Sequence, residues 1–145
     1  MSIKLSKEDI LFAGLAVSKG VTHSPVQVQK LFFLIDKNVA KDIGGPFFDF
    51  QAYNYGPFDK EIYKLLQVFS TRGYIEIIRE NTWREYRLTK EGQDLGEKIL
   101  RRIPAEINNY LEKISKFVLS LSFSELVMAI YKEFPEMRKN SVFQE

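Results

Sequence analysis

A chain of 145 residues, 45% hydrophobic and 28% charged, has the length of one ordinary domain and can close a core without a disulfide or metal staple. The absence of cysteine excludes disulfides, thiolate nucleophiles, iron–sulfur clusters and cysteine zinc sites, and the single histidine, His23, leaves little for imidazole or metal chemistry. A net charge of +2 excludes an obvious polyanion binder: residues 1–73 carry nine basic and seven acidic groups, and residues 74–145 carry twelve of each.

Ser6 caps a first helix, with Glu8 and Asp9 at the positive end of its dipole. Ile10, Leu11, Ala13, Leu15 and Val17 form its apolar stripe, and Lys19-Gly20 stops it. Ser24-Pro25-Val26-Gln27 is the strongest helix start in the chain: serine caps, proline takes the first helical position, and glutamine closes a capping box. Val28, Leu31, Phe32, Ile35 and Val39 follow at helical spacing, and Gly44-Gly45-Pro46 ends the segment. Phe47–Tyr55 predicts a short strand or extended stretch. A third helix opens at Gly56-Pro57, with Phe58, Ile62, Leu65, Leu66 and Phe69 on one face. Lys60, Lys64, Gln67 and Thr71 lie opposite, Tyr63 at the margin, and Gly73 stops the helix.

Tyr74–Ile78 is rich in aromatic and β-branched residues and predicts a strand, with a turn at Arg79–Arg84 containing Asn81-Thr82 and a return strand at Glu85–Leu88. Thr89 caps a fourth helix through Leu95, Ile99, Leu100 and Ile103. Pro104 starts a fifth, carrying Ile107, Leu111, Ile114, Phe117, Val118 and Leu121. Ser122 and Glu125 box a sixth, with Leu126, Ile130 and Phe134; Pro135 ends it, and residues 136–145 follow as a loosely held tail. The expected fold is mainly α with a small β-hairpin, in the α+β class. It forms a single domain over residues 1–145, with a winged-helix-like core at about 6–103 and a helical extension at about 104–135.

Two helices, a two-faced helix and a hairpin follow the order of a winged helix-turn-helix, with Phe58–Arg72 as recognition helix and Arg79–Arg84 as wing tip. On that arrangement Lys60, Lys64, Gln67, Thr71, Arg79, Arg84 and Arg87 are DNA-binding candidates. Asp59, Glu61, Glu76, Glu80 and Glu85 stand among them and oppose it.

Val28-Gln29-Lys30-Leu31-Phe32-Phe33-Leu34, then Tyr53-Asn54-Tyr55-Gly56-Pro57-Phe58 and Ile62-Tyr63, resemble the SocA/Panacea antitoxin-domain family in its "QKLLY" helix and its "GP" before an "xxLY"-type helix. Gly73-Tyr74-Ile75 and Tyr86-Arg87-Leu88-Thr89-Lys90-Glu91-Gly92 resemble the hairpin and "LTxxG" helix start of the related YwgA-like proteins. The resemblance covers residues 9–92, about 60% of the chain, and leaves the helices from Pro104 onward outside. It implies a small, non-catalytic module that binds a partner protein, such as a toxin or a protease, and it carries no catalytic residues. Phe32-Phe33 replaces the family's usual leucine-tyrosine pair, so the tyrosine of that helix has no counterpart.

The bottom-up reading adds no chemistry to this. His23 has no second histidine or cysteine and serves as a loop or capping residue; no Ser–His–Asp set has a spacing signal. Gly44-Gly45-Pro46 lacks the Lys-Ser/Thr of a phosphate loop. Phe47, Phe48, Phe50, Tyr53, Tyr55 and Phe58 predict a core plug between the second and third helices, with some of them free to rim a partner surface. Trp83 is a hot spot if exposed and packing if folded onto the C-terminal helices.

The expected protein is therefore a non-enzyme without catalytic, cofactor or metal residues. Tyr53, Tyr55, Phe58, Tyr63 and Trp83 are its candidates for binding a protein partner, with DNA binding as the alternative and homo-oligomerisation open. Apolar runs such as Leu31–Ile35 fall far short of the roughly 20 residues that span a bilayer. The opening MSIKLSKEDILFAG places charges where an export signal needs its apolar stretch, so a cytoplasmic location is expected.

Overall fold

Three reciprocal capping boxes set the starts of three helices. Ser6, Ser24 and Ser122 each accept a hydrogen bond from the backbone N–H three residues on, and Asp9, Gln27 and Glu125 bond back to the cap. In the computed structural model, which describes residues 3–80 and 82–143, these boxes open α1 (Lys7–Ala16), α2 (Pro25–Asn38) and α6 (Phe123–Glu133). Thr89 caps α4 (Lys90–Leu100) and Pro104 precedes α5 (Ala105–Ser120), as the sequence predicts. The fold is mostly helical with two small antiparallel hairpins, in the α+β class. Among the described residues no helix is long and apolar enough to cross a membrane.

Several boundaries differ from the sequence expectation. Gly56-Pro57 does not open the third helix. Gly56, at φ +102°, turns the chain into a strand β2 (Gly56–Phe58), which returns on β1 (Gln51–Tyr53) with Tyr53 opposite Gly56 and Gln51 opposite Phe58. Helix α3 (Lys60–Thr71) starts later because the Asp59 carboxylate caps it, accepting from the Glu61 N–H at 2.9 Å. Phe58 thus belongs to a hairpin rather than to the face of α3. Helix α1 stops at Ala16, ahead of Lys19 and Gly20, and α2 ends at Asn38, followed by a 3-10 turn at Ala40–Asp42.

The second hairpin is longer and tighter than expected. Strand β3 (Ile75–Glu80) pairs with β4 (Trp83–Leu88) from Ile75 opposite Leu88 to Glu80 opposite Trp83. Arg79 and Arg84 therefore face each other across a ladder instead of sharing a turn. Of the predicted turn pair Asn81-Thr82, Asn81 lies outside the described residues.

Helix α2 runs through the centre: Val28 to Ile35 are all buried, with α1, β2, β4, α5 and α6 against it. α5 and α6 pack their Leu111, Val118, Leu126 and Ile130 into this same core. α1 lies directly on α4, where Gly96 admits the close approach. The stretch expected to be a loose tail is hydrogen-bonded as far as it is described. A 3-10 turn at Pro135–Arg138 leads to Asn140, whose Nδ2 donates to Ala52 O at 3.0 Å, and to Val142, whose N–H donates to Asn54 O at 2.9 Å.

Candidate functional site

Helix α2 is apolar around its whole circumference from Leu31 to Ile35, so it has no solvent face over these residues. Gln29 and Lys30 go into the interior with it, at 1% and 3% exposure. Gln29 is held there at both ends of its amide, which donates to Asp59 O at 3.0 Å and accepts from Asp59 N at 2.9 Å, tying α2 to the start of α3. The Lys30 Nζ donates to Pro57 O at 3.2 Å, and no described carboxylate lies within ion-pair distance. Burial pushes the Lys30 ammonium down to about 7.

Lys30 lines a cavity of about 280 Å³. The first turn of α2, the hairpin tip Tyr53–Gly56, Phe58 and Tyr63 complete its walls. The aromatic walls form a ladder. Tyr53 stacks on Phe58 at 5.0 Å, Phe58 meets Tyr63 edge-on at 5.6 Å, and Tyr63 stacks on Tyr86 at 6.1 Å. The Arg84 guanidinium lies 5.7 Å from the Tyr63 ring. The Tyr63 hydroxyl donates to Pro25 O at 3.3 Å, and burial pushes its phenol up to about 12.

The structure thus gathers four of the five partner-binding candidates, Tyr53, Tyr55, Phe58 and Tyr63, around one cavity. Trp83 is not among its walls. It stands 53% exposed at the far end of the second hairpin, and strand alternation puts it on the face opposite Arg84 and Tyr86. The aromatic run divides in two. Phe47, Phe48 and Phe50 plug the core, with Phe48 against Phe32 and Phe50 against Phe33, while Tyr53 and Tyr55 stay 52% and 41% exposed. Asp36 holds the start of that plug, accepting from the N–H groups of Phe47 and Phe48 at 3.0 Å each. Phe33, which replaces the expected tyrosine, is fully buried and packs edge-on against Phe134 at 4.8 Å.

Lys60, Lys64, Gln67 and Thr71 are exposed along α3. The arginines on the second hairpin are partly occupied: Arg87 pairs with Glu76 at 2.9 Å, and Arg84 covers Tyr63. Glu61, Glu76, Glu80 and Glu85 stand between the basic groups. Among the described residues no three His, Asp or Glu side chains cluster to hold a metal ion.

Sequence reasoning missed Gln29 and Lys30 as site residues. The available signal was the unbroken apolar run that follows them, which leaves no side of the helix for water. His23 is likewise more than a loop residue: it is 1% exposed, and its backbone exchanges two hydrogen bonds with Tyr86, at 2.8 and 2.9 Å. Burial pushes its imidazole down from 6.5 to about 4, with the Val21 backbone offsetting part. The unfolded chain therefore binds a proton that the folded chain refuses between these values, and stability contributed by neutral His23 is lost as pH falls from 6.5 to about 4. Urea unfolding at pH 7 and pH 4.5 checks this. His23→Met is expected to flatten the dependence, and an equally steep loss in that variant would refute the assignment.

No curated protein and no solved structure matches this chain. A family model does, that of the antitoxin SocA-like, Panacea domain, over residues 28–142. The match begins inside α2, contains every cavity-lining residue except Pro25 and Val26, and extends through α5 and α6, which the sequence resemblance had left out. The chain belongs to the SocA-like Panacea antitoxin family.

Proposed function

We propose that this protein is a non-enzymatic antitoxin module that binds a partner protein, a toxin, and neutralises or delivers it in the cytoplasm. A winged-helix-like core over about residues 6–103 carries the binding rim, with Tyr53, Tyr55 and Phe58 on the first hairpin and Tyr63 on α3. The observation that supports this most directly is the half-exposed tyrosine pair above an aromatic-walled cavity. Tyr55 also meets Phe123 at 5.1 Å, so the rim continues onto the start of α6, where Phe123 is 45% exposed. Tyrosine and phenylalanine at such rims supply large contact area at low conformational cost. Trp83 would serve as a second, separate anchor.

Co-expression with neighbouring gene products, followed by affinity purification, tests the proposal. Tyr53→Ala combined with Tyr55→Ala is expected to weaken partner capture at least 10-fold, about 1.4 kcal/mol. The fold should be retained with only a modest loss of thermal stability, because both rings are about half exposed and each gives up one ring contact. Full retention of the partner by the double variant would remove the rim from the interface, and failure of the wild type to retain any partner would count against the function.

A further inference from the structure

The cavity above α2 contains a charge that nothing in the described chain answers. Lys30 is 3% exposed, its ammonium has three donors, and one hydrogen bond, to Pro57 O, is its described contact. The nearest acidic residue along that segment, Asp59, is turned to other tasks. Its Oδ1 accepts from Glu61 N and its Oδ2 from Asp49 N, both at 2.9 Å. A buried cation without an anion is costly, and a carboxylate brought into the same low-dielectric space would be held strongly. The rest of the cavity is mostly aromatic and aliphatic, with Tyr53, Phe58 and Tyr63 together with Pro25 and Val26, and its other polar walls are Gln29 and Asn54.

Resting on the partner-protein reading above, we propose that this cavity binds the C-terminal residue of a partner chain, its carboxylate on Lys30 and its apolar side chain between Tyr53, Phe58 and Tyr63. A chain terminus fits this mixture because it carries a carboxylate and an apolar side chain on one Cα. An aspartate or glutamate side chain ends in a carboxylate but brings only a short stem, and would leave the aromatic walls uncovered. The size agrees, since about 280 Å³ is room for one residue and not for a folded segment.

The test uses the full chain and short peptides, without any toxin, so its outcome is independent of partner capture. Acetyl-Gly-Ala-Phe with a free carboxylate is titrated by NMR and calorimetry against its C-terminal amide and against acetyl-Gly-Glu-Phe-amide. The free acid is expected to bind at least 10-fold tighter than either amide. At pH 8 its binding should take up protons, read from buffers of different ionisation enthalpy, because the carboxylate draws the proton back onto Lys30. Lys30→Met should reduce the preference for the acid to less than 2-fold, with an unchanged circular dichroism spectrum. Tyr53→Ala, at an exposed position, should weaken the acid without changing the preference, and serves if Lys30→Met does not fold. Equal binding of acid and amide, no binding of either, a preference that survives Lys30→Met, or equal binding of the glutamate peptide would each overturn the proposal. Any of these could occur while a toxin is still captured through the tyrosine rim, which keeps the two failures apart.

Discussion

Gly92→Ala and Gly96→Ala are each expected to lower the unfolding free energy by about 3 kcal/mol, the upper end of what overpacking costs. A β-carbon on Gly92 would lie 2.0 Å from the Tyr74 carbonyl oxygen, and one on Gly96 would lie 2.4 Å from Ala16 Cβ and 2.7 Å from Phe12 O. The obstructing atoms are backbone or Cβ, so no side-chain rotation relieves the clash. Each methyl must push α4 away from α1 or from the start of the second hairpin, opening the close packing that the two glycines allow. The loss is a large share of the roughly 5–15 kcal/mol that holds a domain together. Urea unfolding monitored by circular dichroism is the measurement. Alanine normally favours a helix interior over glycine by about 1 kcal/mol, so a stabilised variant would show that this close approach is not what the two glycines provide.

Lys30→Met is expected to do the opposite and stabilise the isolated protein, by about 3 kcal/mol at pH 6. Each unit by which burial lowers a pKa corresponds to about 1.4 kcal/mol, and Lys30 is brought from 10.5 to about 7. Losing the charge-assisted bond to Pro57 O takes back roughly 1.5–3 kcal/mol of that gain. The sign with pH is definite. Above 10.5 the lysine is neutral folded or unfolded and costs no charge burial. As pH falls towards 7 the unfolded chain takes a proton that the folded chain resists, and below about 7 the full penalty is present. The advantage of methionine should therefore be constant below pH 7 and shrink steadily towards pH 10. Urea titrations at pH 6, 8 and 9.5 read this directly. A difference that does not change with pH, or a methionine variant less stable throughout, would mean that Lys30 is not held as a desolvated cation. A residue that weakens its own fold at physiological pH invites a functional explanation, and an incoming carboxylate supplies one.

What could be read from the sequence was local. Capping boxes at Ser6, Ser24 and Ser122 involve residues three apart, and all three form. Gly56-Pro57 was misread because proline before a helical stripe looks the same at the first turn of a helix and in a short strand. The deciding residue was Asp59, whose carboxylate caps α3 two positions later. The hairpin Gln51–Phe58 has three residues per strand, too few for an alternating pattern to register. The aromatic segment was recognised, but the division between Phe48 and Phe50 in the core and Tyr53 and Tyr55 at the surface depends on how that hairpin turns. The charge at the centre of the site was the least legible feature. Lys30 and the carbonyl it meets are 27 positions apart, and nothing near either residue announces the other.

The burial of α2 from Val28 to Ile35 has one more consequence. Covered there by α1, α5, α6 and two strands, these residues can release their amide hydrogens to solvent only when the whole molecule opens. The hairpin above it is tied to that same helix, through the Lys30 bond to Pro57 O and the Gln29 bonds to Asp59, and to the segment from Asn140 to Val142. On the proposed function, a partner would meet a charge and a rim that are both anchored to the last part of the molecule to open. Such a site is preorganised, so binding there would cost little ordering of the chain.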